Sequence, residues 1–206
     1  MRSTFVSVVV LLTVTGVVFG VPTMTAEWLG PIGGGLRADI PIYRNMDLTS
    51  PNYSVSGSDS LAYIAVDDYV STAQPASGIS PLASMSFVGG VNAAGGTLSF
   101  QFFDVSLSFV SGVNIVFPFG GDRVWEFPVA GVISVPNTGY LLVVPAPGTT
   151  GTWYENAQPP TVGTTTPGHV EFGSWVPLDL KFALNVPEPS ALLPLALGLV
   201  AIIRRR

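Results

Sequence analysis

Between Thr97 and Phe102 the chain reads TLSFQF, with Leu98, Phe100 and Phe102 interleaved by Thr97, Ser99 and Gln101. Side chains alternate across a strand but recur every three to four residues along a helix. This period of two therefore fits a strand with one buried face and disfavours an amphipathic helix. The pattern returns along the chain. Val105, Leu107 and Phe109 interleave with Ser106 and Ser108. Val176, Leu178, Leu180, Phe182 and Leu184 share one face of a run ending at Asn185, with Asp179, Lys181 and Asn185 on the other. Further strands are expected at 61–70, 84–88, 113–117, 123–127, 129–135 and 140–144. Gly89-Gly90, 92–96, Gly120-Gly121-Asp122, 136–139 and 145–151 read as the turns between them. Strands at spacings of about 8–12 residues, without an apolar helical stripe or a fixed repeat, predict an all-β fold. The expected architecture is an antiparallel β-sandwich of jelly-roll or Ig-like type over 40–185, with 21–39 as a lead-in.

Composition narrows the chemistry. Apolar residues make up 48% of the 206 and charged residues 10%, against a usual charged share of about 25%. The 23 glycines and 18 prolines suit a chain of many turns, and the aromatic and β-branched content argues against disorder. The absence of cysteine excludes disulfides, thiolate nucleophiles and Cys-based zinc sites. His169 is the single histidine, so a Ser-His-Asp triad would have to use it, and neither H-E-x-x-H nor G-x-S-x-G occurs. Between Val21 and Asn185 only Arg37, Arg44, Arg123 and Lys181 stand against twelve acids. Nucleic-acid binding needs the opposite balance and is not expected.

The two ends differ from the middle. Residues 1–20, MRSTFVSVVVLLTVTGVVFG, place Arg2 before an apolar run from Phe5 to Phe19, with Val18 near its end and Gly20 just after it at −3 and −1 of a cleavage point. That is the pattern of a secretory signal peptide. Cleavage after Ala26 would put the bulky Met24 at −3, so Gly20 is preferred. A retained anchor or a buried strand are the other readings of the same run.

The last 21 residues read VPEPSALLPLALGLVAIIRRR. Residues 190–203 carry no charge. As a helix they would extend about 21 Å, short of a hydrocarbon core of about 30 Å. Length alone favours a buried helix. Against that, the run lies at the C-terminal end, Pro187 and Pro189 separate it from the preceding domain, and Arg204, Arg205 and Arg206 end it with charge that prefers the cytoplasmic side. Arginine side chains can also snorkel, which helps a short span reach both interfaces.

A Pro-Glu-Pro motif, a short apolar helix and terminal arginines, in that order behind a signal peptide, resemble the PEP-CTERM sorting signal of bacterial surface proteins. The resemblance covers 186–206, and Pro194 inside the apolar run is a departure from it that membrane helices tolerate. It implies recognition of Pro187, Glu188 and Pro189 by an exosortase, a membrane helix at 190–203 and a membrane stop at Arg204–Arg206. It also implies an exopolysaccharide-producing, biofilm-forming bacterium. The stretch from about Phe87 to Gly163, with the run FVGGVNAAGGTLSFQFFDVSLSFVSGVNIVFPFGGDRVWEFPVAG, also resembles secreted β-domains that recur with such tails. The partners implied are signal peptidase, an exosortase, the membrane and the exopolysaccharide, with location at the cell envelope, surface or matrix.

Candidate sites within the domain are few. Asp67-Asp68 offers adjacent carboxylates for calcium, although neighbours in a strand face opposite ways. A glycoside hydrolase would need two facing acids from among Asp67, Asp68, Asp104, Glu126, Glu155 and Glu171, none of which lies in a recognisable motif. Trp28, Trp125, Trp153 and Trp175 could offer sugar-stacking faces, with Trp153-Tyr154 beside a loop the best placed. Gly33-Gly34-Gly35 lacks the lysine of a phosphate loop. The Thr/Gly/Pro-rich stretches 148–152 and 161–168 have a composition that suits loops and O-linked sugars. The expectation is a non-enzymatic structural or adhesive protein without a cofactor, and a carbohydrate-binding module is the alternative.

Overall fold

The computed structural model describes residues 21–30, 40–46, 54–58, 65–171 and 174–187. The expected signal peptide, Gly33–Gly35, the side chains of Trp28 and Glu171, and residues 188–206 lie outside this description. Among the described residues there is no helix, and the chain forms seventeen strands. The first eight are β1 (Thr23–Thr25), β2 (Glu27–Gly30), β3 (Ile40–Asn45), β4 (Ser54–Ser58), β5 (Ala65–Val70), β6 (Ile79–Pro81), β7 (Ser84–Val91) and β8 (Thr97–Asp104). Then come β9 (Phe109–Val116), β10 (Arg123–Phe127), β11 (Ser134–Pro136), β12 (Thr138–Pro145) and β13 (Thr150–Asn156). The last four are β14 (His169–Glu171), β15 (Ser174–Val176), β16 (Asp179–Leu180) and β17 (Phe182–Val186).

These strands build two large sheets and a small one. The first runs β1-β9-β8-β12-β5-β14-β15. The second runs β16-β13-β7-β10-β2, with β4 on β13, and β17 between β7 and β3. The third pairs β6 with β11. Antiparallel pairing prevails, and β1 on β9 is parallel.

Period two explains how the large sheets meet. Leu98, Phe100 and Phe102 of β8 and Leu141 and Val143 of β12 turn to one side and are buried, as are Phe87, Trp125, Phe127, Trp153 and Phe182 of the second sheet, all in one cluster. Phe100 meets Phe87 edge-on at 5.1 Å and Phe127 at 5.1 Å, while Tyr69 meets Phe182 edge-on at 6.1 Å. Such ring pairs add about 0.5–1.5 kcal/mol each beyond the area they bury.

β7 departs from the half-buried pattern, because all eight of its residues are buried. On one side it pairs with β10 along Met85–Gly89. Its other side is shared, with β17 taking Ser84–Phe87 and β13 taking Gly89–Val91. Gly89 and Gly90, expected to form a turn, therefore lie within a strand. A Cβ on Gly89 would sit 2.0 Å from the Thr152 carbonyl oxygen and 2.7 Å from the Phe87 ring. The glycine is what lets β13 close against β7.

Three other expected strands are corrected. Residues 105–108 form the tip of the β8–β9 hairpin, with Phe109 already in β9, because the Asp104 carboxylate accepts from the Ser106 and Ser108 N–H groups at 2.8 and 3.0 Å and Leu107 adopts φ 61°. Local side-chain bonds of this kind favour turns over ladders. Residues 129–135 are mostly a turn, with Val132 N–H bonded to the Val129 carbonyl and Gly131 at φ 72°. The run 176–185 is divided into the ends of β15 and the strands β16 and β17. Asp179, Lys181 and Asn185, expected on the face opposite the apolar one, are buried: Asp179 lies in β16 against β13, the Lys181 N–H bonds to the Tyr154 carbonyl, and Asn185 lies in β17, which is paired on both edges. The expected loop 148–152 also yields to β13 from Thr150 onward.

Gly89→Ala is expected to destabilise the protein by about 3 kcal/mol or more, because backbone rather than a flexible side chain must move. Chemical denaturation of the purified variant checks this, and an unchanged midpoint would contradict the tight β7–β13 contact.

Candidate functional site

The densest group of ionisable side chains lies where β5, β14 and β16 meet. Asp67 and Asp68 are consecutive in β5, so the pleat sends them to opposite faces. Asp67 is 1% exposed and its Oδ2 accepts from the Leu180 N–H at 2.7 Å. Asp68 is half-buried. Its Oδ2 accepts from the Thr166 N–H at 3.0 Å and its Oδ1 from the Thr165 hydroxyl at 3.3 Å. Asp179 closes the group from β16, its Oδ1 accepting from the Gly168 N–H at 2.6 Å. Asp67 thus ties β5 of the first sheet to β16 of the second, Asp68 ties β5 to the loop at Thr165–Thr166, and Asp179 ties β16 to the turn before β14, which makes the arrangement a set of structural clasps.

His169 lies beside them in β14. Its Nδ1 bonds to the Leu178 carbonyl oxygen. A carbonyl can only accept, so Nδ1 carries the proton. Nε2 faces the Glu155 carboxylate at 3.7 Å.

Burial dominates the electrostatics. It pushes Asp67 well above the usual carboxyl range, and the nearby Asp179 and Asp68 charges add to it against the pull of the Leu180 N–H. Burial also raises Asp68, opposed by its bonds to Thr166 and Thr165. Asp179 is raised by burial first, with the Gly168 N–H opposing. The Tyr43 phenol is held above its usual range by burial and then by Asp67, Asp179 and Asp68.

A cavity of about 250 Å³ opens next to Asp179, lined also by Asn156, Gln158, Thr165 and four prolines, Pro159, Pro160, Pro167 and Pro177. Asp67 is not in its wall. Among the described residues no group of three or more His, Asp or Glu side chains is arranged to hold a metal. The calcium candidate Asp67-Asp68 is instead split across the sheet and bonded to the chain itself.

The remaining acids are scattered. Asp104 holds the β8–β9 hairpin. Glu126 is fully buried on the face of the second sheet that also carries Ser86, Val88, Lys181 and Ala183. The aromatic candidates separate sharply. Trp153 is fully buried, packs at 5.7 Å against both Phe87 and Phe182, and donates from Nε1 to the Lys181 carbonyl at 3.1 Å. It therefore offers no face to a sugar, which corrects the Trp153-Tyr154 platform. Tyr154 points the other way and donates to Asp122 at 3.1 Å. Trp125 is equally buried. Trp175 in β15 is 63% exposed. The period-two pattern places Asp179 and Lys181 on the face opposite the apolar one, and nothing local in that run marks them as buried.

Of the expected sorting motif only Pro187 is described, half-buried directly after β17. Glu188, Pro189, the run 190–203 and Arg204–Arg206 lie outside the described residues. No family model, curated protein or solved structure matches the chain.

Asp67→Ala should cost about 1–3 kcal/mol by leaving the buried Leu180 N–H without its acceptor, whereas Asp67→Asn keeps an acceptor and should cost less. The pH dependence has a definite sign. Carboxyls whose folded-state pKa is raised bind more protons folded than unfolded. Their favourable contribution is complete below the unfolded value of about 3.9 and is lost as pH rises through the folded values of Asp67, Asp68 and Asp179. Calorimetry from pH 8 down to pH 5 should therefore show a rising Tm, with a shallower slope in Asp67→Asn.

Proposed function

We propose that the protein is an exported, non-enzymatic cell-surface or matrix protein, an antiparallel β-sandwich sorted through its C-terminal Pro-Glu-Pro motif. In this reading signal peptidase removes 1–20, the 190–203 helix holds the chain in the membrane with Arg204–Arg206 as its stop, and an exosortase cuts near 187–190. The domain then joins the envelope or the exopolysaccharide matrix in a structural or adhesive role. The observation that carries the reading is the position of Pro187, immediately past the last residue of β17. Proline cannot donate to a strand ladder, so a motif starting there begins where the sheet ends and stays available to a processing enzyme. The carboxyl cluster supports a non-enzymatic role, since Asp67, Asp68 and Asp179 are bonded to the chain's own backbone.

The intact mass of protein recovered from native envelope and medium tests this. Loss of 1–20 and of about 17 C-terminal residues is expected, with Glu188→Ala retaining the tail. A wild-type protein still ending in Arg206 would overturn the sorting step.

One observation favours carbohydrate binding as a second reading. Trp175 is exposed, and Gly168 lies so close that a Cβ there would come within 2.6 Å of the indole Nε1. Pro167 and Pro177, each within two residues of that contact, line the cavity beside Asp179. A flat aromatic face near a proline-walled hollow that carries Asn156, Gln158 and Asp179 suits a sugar ring. If the protein binds its matrix polysaccharide this way, Trp175→Ala should weaken retention about 10-fold or more without lowering Tm, as measured by affinity electrophoresis. No retention of the wild type would exclude the reading.

A further inference from the structure

We propose that the end of the domain where β17 leaves the sheets is a bilayer-facing surface, resting on the leaflet that receives the tail. The proposal rests on the reading of 190–203 as a membrane helix.

Among the described residues, the large apolar side chains left exposed are Ile40, Ile79, Val105, Leu107, Phe109, Val132, Val170 and Trp175. Strand register brings six of them to one end. β17 finishes with Val186 opposite Ile40, and its Asn185 faces Ser84, where β7 begins. Just before β7, β6 carries Ile79, 61% exposed and opposite Pro136 of β11. Val132 precedes Ile133, whose carbonyl accepts from the Leu82 N–H two residues before β7. At the same end β8 stops at Asp104 opposite Gly139 near the start of β12. The hairpin tip beyond it exposes Val105, at 64%, with Leu107 and Phe109. A groove of about 230 Å³ between these pieces is lined by Ile79, Val105, Val110, Asp104, Pro136 and Thr138 among others. At the opposite end, the turns at 92–96, 120–122 and 146–149 contribute none of the eight.

Folding alone leaves this apolar collar unexplained, because each of its side chains stays exposed, even Phe109, whose ring also meets that of Phe103 edge-on at 5.8 Å. The chain's own geometry supplies an occupant. From Val186 to Ser190 is four residues, a reach of at most about 14 Å. A helix entering the bilayer at Ser190 therefore brings the end of β17 to the headgroups, and the collar with it. Interfacial segments bury apolar side chains about 5–10 Å deep, at the headgroup–acyl boundary. Asp104, the charged group of the groove, has its Oδ1 satisfied by the Ser106 and Ser108 N–H groups and fits headgroup depth.

The test uses the full chain, which has no native cysteine, in phosphatidylcholine nanodiscs. Single variants Val105→Cys, Ala94→Cys and Leu197→Cys carry a nitroxide, and power saturation compares access by oxygen and by a water-soluble nickel chelate. Val105 and Ala94 are both exposed, so labelling should leave the fold intact. The expected result is a Val105 label at least 3-fold less accessible to nickel than the Ala94 label, with Leu197 deep in lipid. Equal nickel access at Val105 and Ala94, with Leu197 in lipid, would overturn the docking surface and leave the tail reading standing. Leu197 in water with Val105 in lipid would overturn the tail reading and keep the surface. Both labels in water would remove both. Protection of Val105 only when two copies share a disc would overturn the bilayer in favour of a second copy of the chain.

Discussion

The structure depends on the complete burial of β7. A strand with both faces and both edges covered has no solvent-facing side on which to place a polar residue at little cost. Ser84, Ser86, Gly89 and Gly90 fill the positions that Met85, Phe87, Val88 and Val91 do not. The glycines matter most, since β10, β13 and β17 all hydrogen-bond to this one strand. Without a close approach at Gly89 the indoles of Trp125, bonded to the Gly89 carbonyl, and Trp153 would lose their seats. The aromatic core shared by the two large sheets would then open.

The polar interior is subordinate to that core. Desolvating a carboxylate is costly unless it is hydrogen-bonded, and the fold answers this by setting Asp67 against the backbone N–H of Leu180 in β16, Asp68 against that of Thr166 and Asp179 against that of Gly168. The long crossing from β13 to β14 is fastened by the Asp68 and Asp179 bonds, together with bridges from Val162 to Arg44 and from Thr164 to Val70. These residues look like a reaction centre in composition and act as fasteners in geometry.

What could be read from the sequence follows the same division. β8, β10, β12 and most of β7 were legible because alternation is a local property, recorded in side chains two apart. The hairpin at Asp104 was not, because three alternating apolar residues were overruled by one carboxylate bonding two nearby N–H groups. The burial of Asp179 and Lys181 was not, because it arises from pairings with segments more than twenty residues away. Trp153 was misplaced for the same reason, since it sits beside a turn in sequence and between Phe87 and Phe182 in space. Trp175, its counterpart on the surface, looks identical in sequence.

The pairing of first strands with last carries a consequence for how the molecule is made. β1 joins β9 through Thr23 and Asn114, and β3 joins β17 through Ile40 and Val186. Neither large sheet can be completed while the chain is still emerging, since the early strands wait for partners about ninety and about one hundred and forty-five residues later. Contacts so distant in sequence make folding slow. They also make it a check on completeness, because a chain cut short before Phe182 lacks the strand that seals the second sheet, with Phe182 and Leu184 missing from the core.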